Sequence, residues 1–184
     1  MLRTLPQPAL QTTTARIAGI AVFTLATVVA ARISIPMDPV PFTLQPLAVL
    51  LAGMVLGARD GAFSQIAYVA LIAIGLPLDA NMRGQAALLG PTGGYLIGFI
   101  AAAFVTGWLV ECAGARLWQR WLAGVAGVAV IYLFGVPVLA LSRGLTLEQA
   151  FMAGAAPFLA PDLVKALLAA AMTEGSRALL LRNR

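Results

Sequence analysis

Long apolar runs along the chain are separated by short segments that contain charged residues, proline and glycine. Six runs can be distinguished, at roughly residues 15–35, 43–57, 61–77, 93–112, 118–141 and 158–180. A helix needs about 20 mostly apolar residues to cross the hydrocarbon core of a bilayer. The second and third runs are shorter and are separated only by residues 57–61, so we interpret them as a helical hairpin. The pattern predicts an all-α integral membrane protein with six transmembrane helices and a single membrane domain over residues 1–184.

The composition agrees with a membrane environment. Of the 184 residues, 61% are hydrophobic and only 10% are charged, and the mean hydropathy is +0.93. Soluble domains carry about 25% charged residues. A soluble protein of this length has too little interior to bury so much apolar side chain, whereas lipid removes the need to bury it.

The arginines predict the orientation, because basic residues concentrate on the cytoplasmic side of membrane proteins. With a cytoplasmic N-terminus, the outer side receives only Arg32, Arg83 and Arg143. The inner side receives eight: Arg3, Arg16, Arg59, Arg116, Arg120, Arg177, Arg182 and Arg184. We therefore expect both termini in the cytoplasm and the long connections, residues 34–43 and 78–92, outside. The same scattered arginines explain the net charge of +5 without nucleic acid.

Several function classes lose support from residues that the sequence lacks. There is no histidine and only one cysteine, Cys112. Histidine is the commonest general base and transition-metal ligand, and the sequence also has no P-loop, metal-ligand cluster or serine nucleophile motif. We predict no enzymatic activity, no metal and no other cofactor. If the protein takes part in ATP-driven uptake, the ATPase must be a separate subunit.

Asp162 and Lys165 are the most informative residues, because ionisable groups at membrane depth usually face a cavity or a partner. Their spacing places both side chains on one helical face, where each can compensate the other. The alternative is structural: an aspartate at a helix N-terminus and a lysine that extends outward to the membrane surface. The functional interpretation is a polar cluster in an outward-facing pocket.

A proline-rich segment precedes the second run, with four prolines in residues 36–46. Proline prevents helix formation and stiffens the chain. Thr43 and Gln45 then provide polar groups where the apolar run begins. The segment is either a stiff connector with a capping threonine or a rigid loop that forms one wall of a site.

Glycines mark the start of the fourth run, in residues 90–99. Gly94 and Gly98 allow a neighbouring backbone to approach closely, while Gly93 and Gly94 expose backbone N–H groups. Close helix packing explains these glycines as well as a ligand does. The preceding loop carries Arg83, which is available to pair with an anion.

Small residues also line the first run. Ala26 and Ala30 are spaced four residues apart and, with Ala18, form a small-residue stripe. The stripe is explained either by packing inside the protein or by a groove in which another membrane protein docks.

Several of these segments, taken together in order and spacing, resemble one known family. They are residues 39–45 (PVPFTLQ), 51–57 (LAGMVLG), 73–77 (AIGLP), 90–99 (GPTGGYLIGF) and 161–165 (PDLVK). The chain resembles the BioY family, the biotin-specific S components of energy-coupling factor (ECF) transporters, over about residues 16–180. The family's loop after the third span is usually more apolar, whereas this chain has Asp79 and Arg83 there.

The resemblance implies six membrane helices and high-affinity binding of biotin from outside the cell. It also implies location in the bacterial cell membrane and docking to a transmembrane T component that carries two ATPase subunits. In that family small residues in the first span face the T component, a role that would fall on Ala26 and Ala30 here.

The chemistry of biotin assigns roles to the candidate residues. Asp162 can accept a hydrogen bond from a ureido N–H, and Asn81 and Lys165 can donate to the ureido carbonyl. Arg83, or the backbone around Gly93 and Gly94, would hold the carboxylate. Tyr95 and Phe42 would pack on the rings, and the wall of the site would include Thr43 and Gln45.

Other functions remain open from the sequence. An S component for thiamin or riboflavin, or a biotin carrier that works without the ATPase module, would share most of these features. An intramembrane enzyme or a purely structural subunit belongs to a different class. The enzyme is disfavoured by the missing histidine, and the structural subunit does not require the Asp162–Lys165 pair.

Overall fold

The computed structural model describes residues 12–113 and 116–182, with side chains up to residue 174. Eight α-helices occur in this part of the chain: α1 (Thr13–Arg32), α2 (Gln45–Leu56), α3 (Ala58–Ala73), α4 (Gln85–Leu89), α5 (Gly93–Ala113), α6 (Leu117–Arg143), α7 (Leu147–Gly154) and α8 (Leu159–Arg182). Two strands, β1 (Ser34–Ile35) and β2 (Phe42–Thr43), lie between α1 and α2. Arg3 and Arg184, and the side chains of Arg177 and Arg182, lie outside the described residues.

A helix is present at each of the six predicted apolar runs, so the all-helical prediction is confirmed. Four stretches among the described residues are long and apolar enough to cross a membrane: Thr13–Arg32, Gly93–Ala113, Leu117–Arg143 and Leu147–Glu174. Helices α2 and α3 are shorter, with 12 and 16 residues. The number of crossings and the orientation of the termini stay predictions.

The turn between α2 and α3 is shorter than predicted. Residues 57–61 were expected to form the turn, but Gly57 alone separates the two helices, with φ of +86°. Glycine adopts this left-handed region without the steric cost that a Cβ brings. Asp60 therefore lies in the first turn of α3, where a carboxylate is favoured by the helix dipole, and it accepts two hydrogen bonds from Arg16.

Glycines let α5 lie directly against its neighbours. A Cβ on Gly107 would lie 2.5 Å from the backbone nitrogen of Ala58, at the start of α3. A Cβ on Gly94 would overlap the carbonyl oxygen of Phe134 on α6. Such contacts leave no room for a side chain, and α5 packs extensively against α6, α3 and α2.

The predicted long connections contain short elements that the apolar pattern did not show. In the first, Ser34 pairs with Thr43 and Ile35 with Phe42 in a two-residue antiparallel ladder. The intervening prolines leave the tip of this hairpin without further pairing. In the second connection, α4 forms a single short helix. Both connections lie beside the start of α5 and position the site described below.

Candidate functional site

A cavity lies where the two connections meet the starts of α5 and α8. Its lining consists of residues 40–43, 45–46 and 79–81, of Thr92, Tyr95, Leu96 and Phe99 before and on α5, of Ile131 and Tyr132 on α6, and of Phe158, Asp162 and Lys165 around the start of α8. Its volume is about 60 Å³, whereas one water molecule needs about 10–15 Å³ by the same measure. The cavity therefore has room for part of a small organic ligand.

A buried ion pair forms the polar centre of the cavity. Lys165 Nζ lies 2.7 Å from Asp162 Oδ1, and the two residues are only 4% and 3% exposed. The ammonium group also donates to the carbonyl oxygen of Thr43 at 2.7 Å, and the hydroxyl of Tyr132 donates to Asp162 Oδ2. Burial of charges is tolerated when they are paired and hydrogen-bonded. The lysine does not extend to the surface, so the structural alternative does not describe it.

Aromatic rings form the apolar wall beside this pair. The rings of Phe42 and Phe158 are stacked with their centroids 6.3 Å apart. Lys165 Nζ lies 4.0 Å from the centre of the Phe42 ring, a favourable position for a cation. Tyr95 contributes its ring to the cavity, while its hydroxyl donates to the carbonyl oxygen of Gly154 at 2.9 Å. These rings present flat apolar surfaces next to the charged groups.

The hydroxyl of Tyr68 connects the start of α2 to the second loop that borders the cavity. Gln45 Nε2 donates to this hydroxyl at 2.7 Å, and the hydroxyl donates to the carbonyl oxygen of Leu78 at 3.1 Å. Thr43 Oγ1 accepts from the backbone N–H of Gln45 and so fixes the start of α2. The start of α2 and the second connection are therefore joined through a buried side chain of α3.

Asp79 organises the second loop around its own carboxylate. Its Oδ2 accepts from the backbone N–H of Asn81 at 3.1 Å, and its Oδ1 accepts from Gly84 at 2.7 Å. The residue is only 3% exposed, whereas Asn81 is exposed. The loop thus carries a buried carboxylate at the place where the cavity reaches the surface.

Seven of the ten residues predicted for substrate binding line this cavity: Asp162, Lys165, Asn81, Tyr95, Phe42, Thr43 and Gln45. The prediction that the proline-rich segment forms a wall agrees with this placement, since Val40 to Phe42 belong to the lining. The three groups proposed for the ligand's carboxylate are not part of it.

Arg83, Gly93 and Gly94 lie outside the lining for different reasons. Arg83 is exposed on the second loop. The N–H of Gly93 donates to the carbonyl oxygen of Gly90 at 3.0 Å and is thus already used. Gly94 faces the backbone of Phe134 on α6, where it permits close helix packing. For both glycines, packing is the interpretation that the structure supports.

The small-residue stripe of α1 is turned partly into the protein. Ala30 is 7% exposed, Ala26 is half-buried, and only Ala18 is exposed. Ala30 is therefore not available on the surface as the docking prediction required. The outer face of α1 instead presents larger apolar residues, with Val22, Leu25 and Val29 each about 60% exposed.

Sequence reasoning missed Tyr132 and Asp79 as cavity residues. Tyr132 lies within an apolar run, where it is the one hydroxyl-bearing residue between positions 121 and 141. That isolation was the available signal, because a buried tyrosine hydroxyl usually finds a partner. Asp79 was noted only as a departure from the family pattern.

We expect Tyr132→Phe to weaken ligand binding about three- to tenfold while leaving the fold intact. The change removes the hydrogen bond to Asp162 Oδ2, and a hydrogen bond to a charged group contributes about 1.5–3 kcal/mol. Because Lys165 still donates to Asp162, we expect only part of this energy to be lost. Isothermal titration of the purified protein measures the change. Tyr95→Phe is the matched control because its hydroxyl bonds to Gly154 and not to Asp162. Equal affinities of the two variants would contradict a role for the Tyr132 hydroxyl.

The fold and the cavity define a class of protein: a helical membrane protein with a cavity between loops and helices. Among the described residues, no three histidine, cysteine, aspartate or glutamate side chains come together in a way that suits a metal ion. A small apolar pocket with a few convergent polar groups is the usual form of a ligand site.

Comparison with known proteins identifies the family. The sequence model of the BioY family matches residues 5–182, and the chain belongs to this family. It is 48% identical to the "Biotin transporter BioY" of Thermotoga maritima over 150 residues, 81% of this chain and 88% of the relative. It is 42% identical to the "Probable biotin transporter BioY" of Pyrococcus horikoshii over 156 residues, 84% of this chain and 91% of the relative.

A solved structure has the same fold. The crystal structure of the S component for biotin from an ECF-type ABC transporter superimposes with a TM-score of 0.82 at 25% identity. The alignment covers 91% of this chain and 95% of that one.

Proposed function

We propose that this chain is a biotin-binding S component of an ECF-type transporter and that it binds biotin in the cavity around Asp162 and Lys165. The family match and relatives described as biotin transporters support the function. The buried Asp162–Lys165 pair carries the assignment of the site, because it places an acceptor and a donor side by side in an apolar wall.

The hydrogen-bonding capacity left on this pair matches a cyclic urea. An ammonium group has three N–H donors, and Lys165 uses two of them, on Asp162 and Thr43. The third donor is left for the ureido carbonyl. Each oxygen of Asp162 receives one donor from the protein, so a lone pair is left to accept from a ureido N–H. Asn81 adds a further donor at the surface end of the cavity.

The aromatic wall suits the rest of the bicyclic ring system. The thiophane ring of biotin is apolar, and Phe42, Phe158 and Tyr95 present flat surfaces next to the ion pair. Burial of apolar surface contributes about 25 cal/mol per Å², so these rings supply binding energy while the polar groups fix the orientation.

The transport context is proposed on the same basis. The chain is a multi-pass membrane protein, and we infer six crossings with both termini in the cytoplasm of a bacterial cell. The cavity then opens outward, because it lies beside the two connections whose predicted location is outside. We infer that biotin is delivered to the cytoplasm together with a T component and ATPase subunits, which must be separate chains because this sequence carries no ATP-binding motif.

A binding panel tests the proposed function. We expect biotin to raise the unfolding temperature of the purified protein, because a ligand that binds only the folded state stabilises it by about 2.7 kcal/mol at 100 times its Kd. Thiamin and riboflavin at equal concentrations are the comparison ligands, and we expect no shift with either. Stabilisation by thiamin or riboflavin without stabilisation by biotin would contradict the proposal.

Uptake by cells separates the two biotin-transport alternatives. Accumulation of labelled biotin is expected to fall when the T component and ATPase genes are deleted. Uptake that is unchanged by this deletion would favour a carrier that works alone.

A further inference from the structure

The charges of the cavity are unbalanced. Its described lining contains two carboxylates, Asp79 and Asp162, and one ammonium group, Lys165. Lys165 is already paired with Asp162 at 2.7 Å. Asp79 accepts hydrogen bonds from backbone N–H groups of its own loop. The lining therefore has a net charge of −1 before any ligand enters.

The position of Asp79 places this excess charge near the surface end of the cavity. Asp79 accepts from the backbone of Asn81, which is exposed and also lines the cavity. Asn81 is the one exposed residue of the described lining, so the tail of a ligand whose ring lies at the buried Asp162–Lys165 pair reaches the surface past this loop. Arg83, the cation of the same loop, is exposed and does not belong to the lining.

The hydrogen bonds of Asp79 favour a ligand tail that donates a hydrogen bond over a tail that carries a negative charge. A carboxylate offers about four lone-pair sites, and each oxygen of Asp79 receives one backbone N–H. An amide N–H can use a remaining site. A second carboxylate cannot, and like charges in a medium of low dielectric constant repel each other.

We propose that Asp79 determines specificity for the ligand's tail, so that the site accepts biotin compounds with an uncharged amide tail at least as well as the free acid. This inference rests on the proposed function, because it assumes that the ureido ring lies at Asp162 and Lys165. The substrate class thus includes biotin amides, in which the tail ends in a neutral group with N–H donors.

The first test uses the unmodified protein and three ligands: biotin, its primary amide and its methyl ester. The amide is expected to bind at least as tightly as the acid, and the ester to bind more weakly than the amide, since it is neutral but has no N–H donor. An acid that binds more than threefold tighter than both neutral compounds would overturn the inference. Failure of all three ligands to bind would instead contradict the proposed function.

The second test changes Asp79 and measures the preference for the amide over the acid. Asp79→Asn removes the negative charge, and its amide oxygen can still accept one of the two backbone hydrogen bonds. The affinity for the acid relative to the amide is expected to rise about fivefold, a change of about 1 kcal/mol. Glu148→Gln is the matched control, because Glu148 is an exposed carboxylate on α7 outside the cavity lining. An unchanged ratio of the affinities for acid and amide in a folded Asp79→Asn protein would overturn the role of Asp79. The comparison of the three ligands on the unmodified protein does not depend on whether either variant folds.

Discussion

Asp162→Asn is expected to weaken biotin binding at least tenfold, because a hydrogen bond to a charged group contributes about 1.5–3 kcal/mol. The substitution also leaves the buried ammonium group of Lys165 without an opposite charge, although the amide oxygen and the Thr43 carbonyl can still accept hydrogen bonds from it. Removing one member of a buried ion pair costs about 3–5 kcal/mol, so the unfolding temperature is expected to fall as well. Titration calorimetry and thermal unfolding measure the two effects.

A double variant separates binding from stability. Asp162→Asn combined with Lys165→Met removes both charges, and replacement of a buried ion pair by apolar groups is often neutral for stability. We expect the double variant to recover much of the lost unfolding temperature without recovering biotin binding. Unchanged biotin affinity in a folded Asp162→Asn protein would remove this residue from the site.

Gly107→Leu is expected to prevent normal assembly of the bundle. A Cβ at this position would lie 2.5 Å from the backbone of Gly57 and Ala58. Backbone atoms cannot rotate aside as a flexible side chain does. Overpacking typically costs about 1–3 kcal/mol and occasionally more, and this site belongs at the upper end of that range. Size-exclusion chromatography of the solubilised protein and its thermal unfolding measure the loss.

Ala18→Leu provides the control for added volume. Ala18 is exposed on α1, so its larger side chain meets the surroundings of the protein and not its interior. The control is expected to elute and unfold like the unmodified protein. If Gly107→Leu behaved in the same way, the close approach of α5 to the α2–α3 turn would be contradicted.

The helices were predictable from the sequence because each depends on a local property, a run of apolar residues. The residues at which the helices begin and end were less predictable. Arg59 and Asp60 suggested a turn, but α3 begins at Ala58, and Asp60 in its first turn pairs with Arg16 of α1, 44 residues earlier in the chain. Only tertiary structure brings these two residues together.

The candidate site was predictable where charge and burial conflict. Asp162 and Lys165 were identified because their charges are costly in an apolar run. The hydroxyl group that donates to Asp162 belongs to Tyr132 on another helix, and no local sequence pattern relates these two residues. Gly93 and Gly94 were ambiguous from the start, since backbone N–H groups and close packing require the same residue type, and contacts with Leu88 and Phe134 favour packing.

The Tyr68 hydroxyl couples the start of α2, which follows the first connection directly, to the second connection. It accepts from Gln45 on one side and donates to the Leu78 carbonyl on the other. If one of these partners moves away while the phenol stays buried, the hydroxyl loses a hydrogen bond, which costs about 1–3 kcal/mol for a buried polar group. Amide hydrogen exchange in residues 40–46 and 78–84 should therefore slow in parallel when ligand is added, and Tyr68→Phe should let the two segments exchange at independent rates.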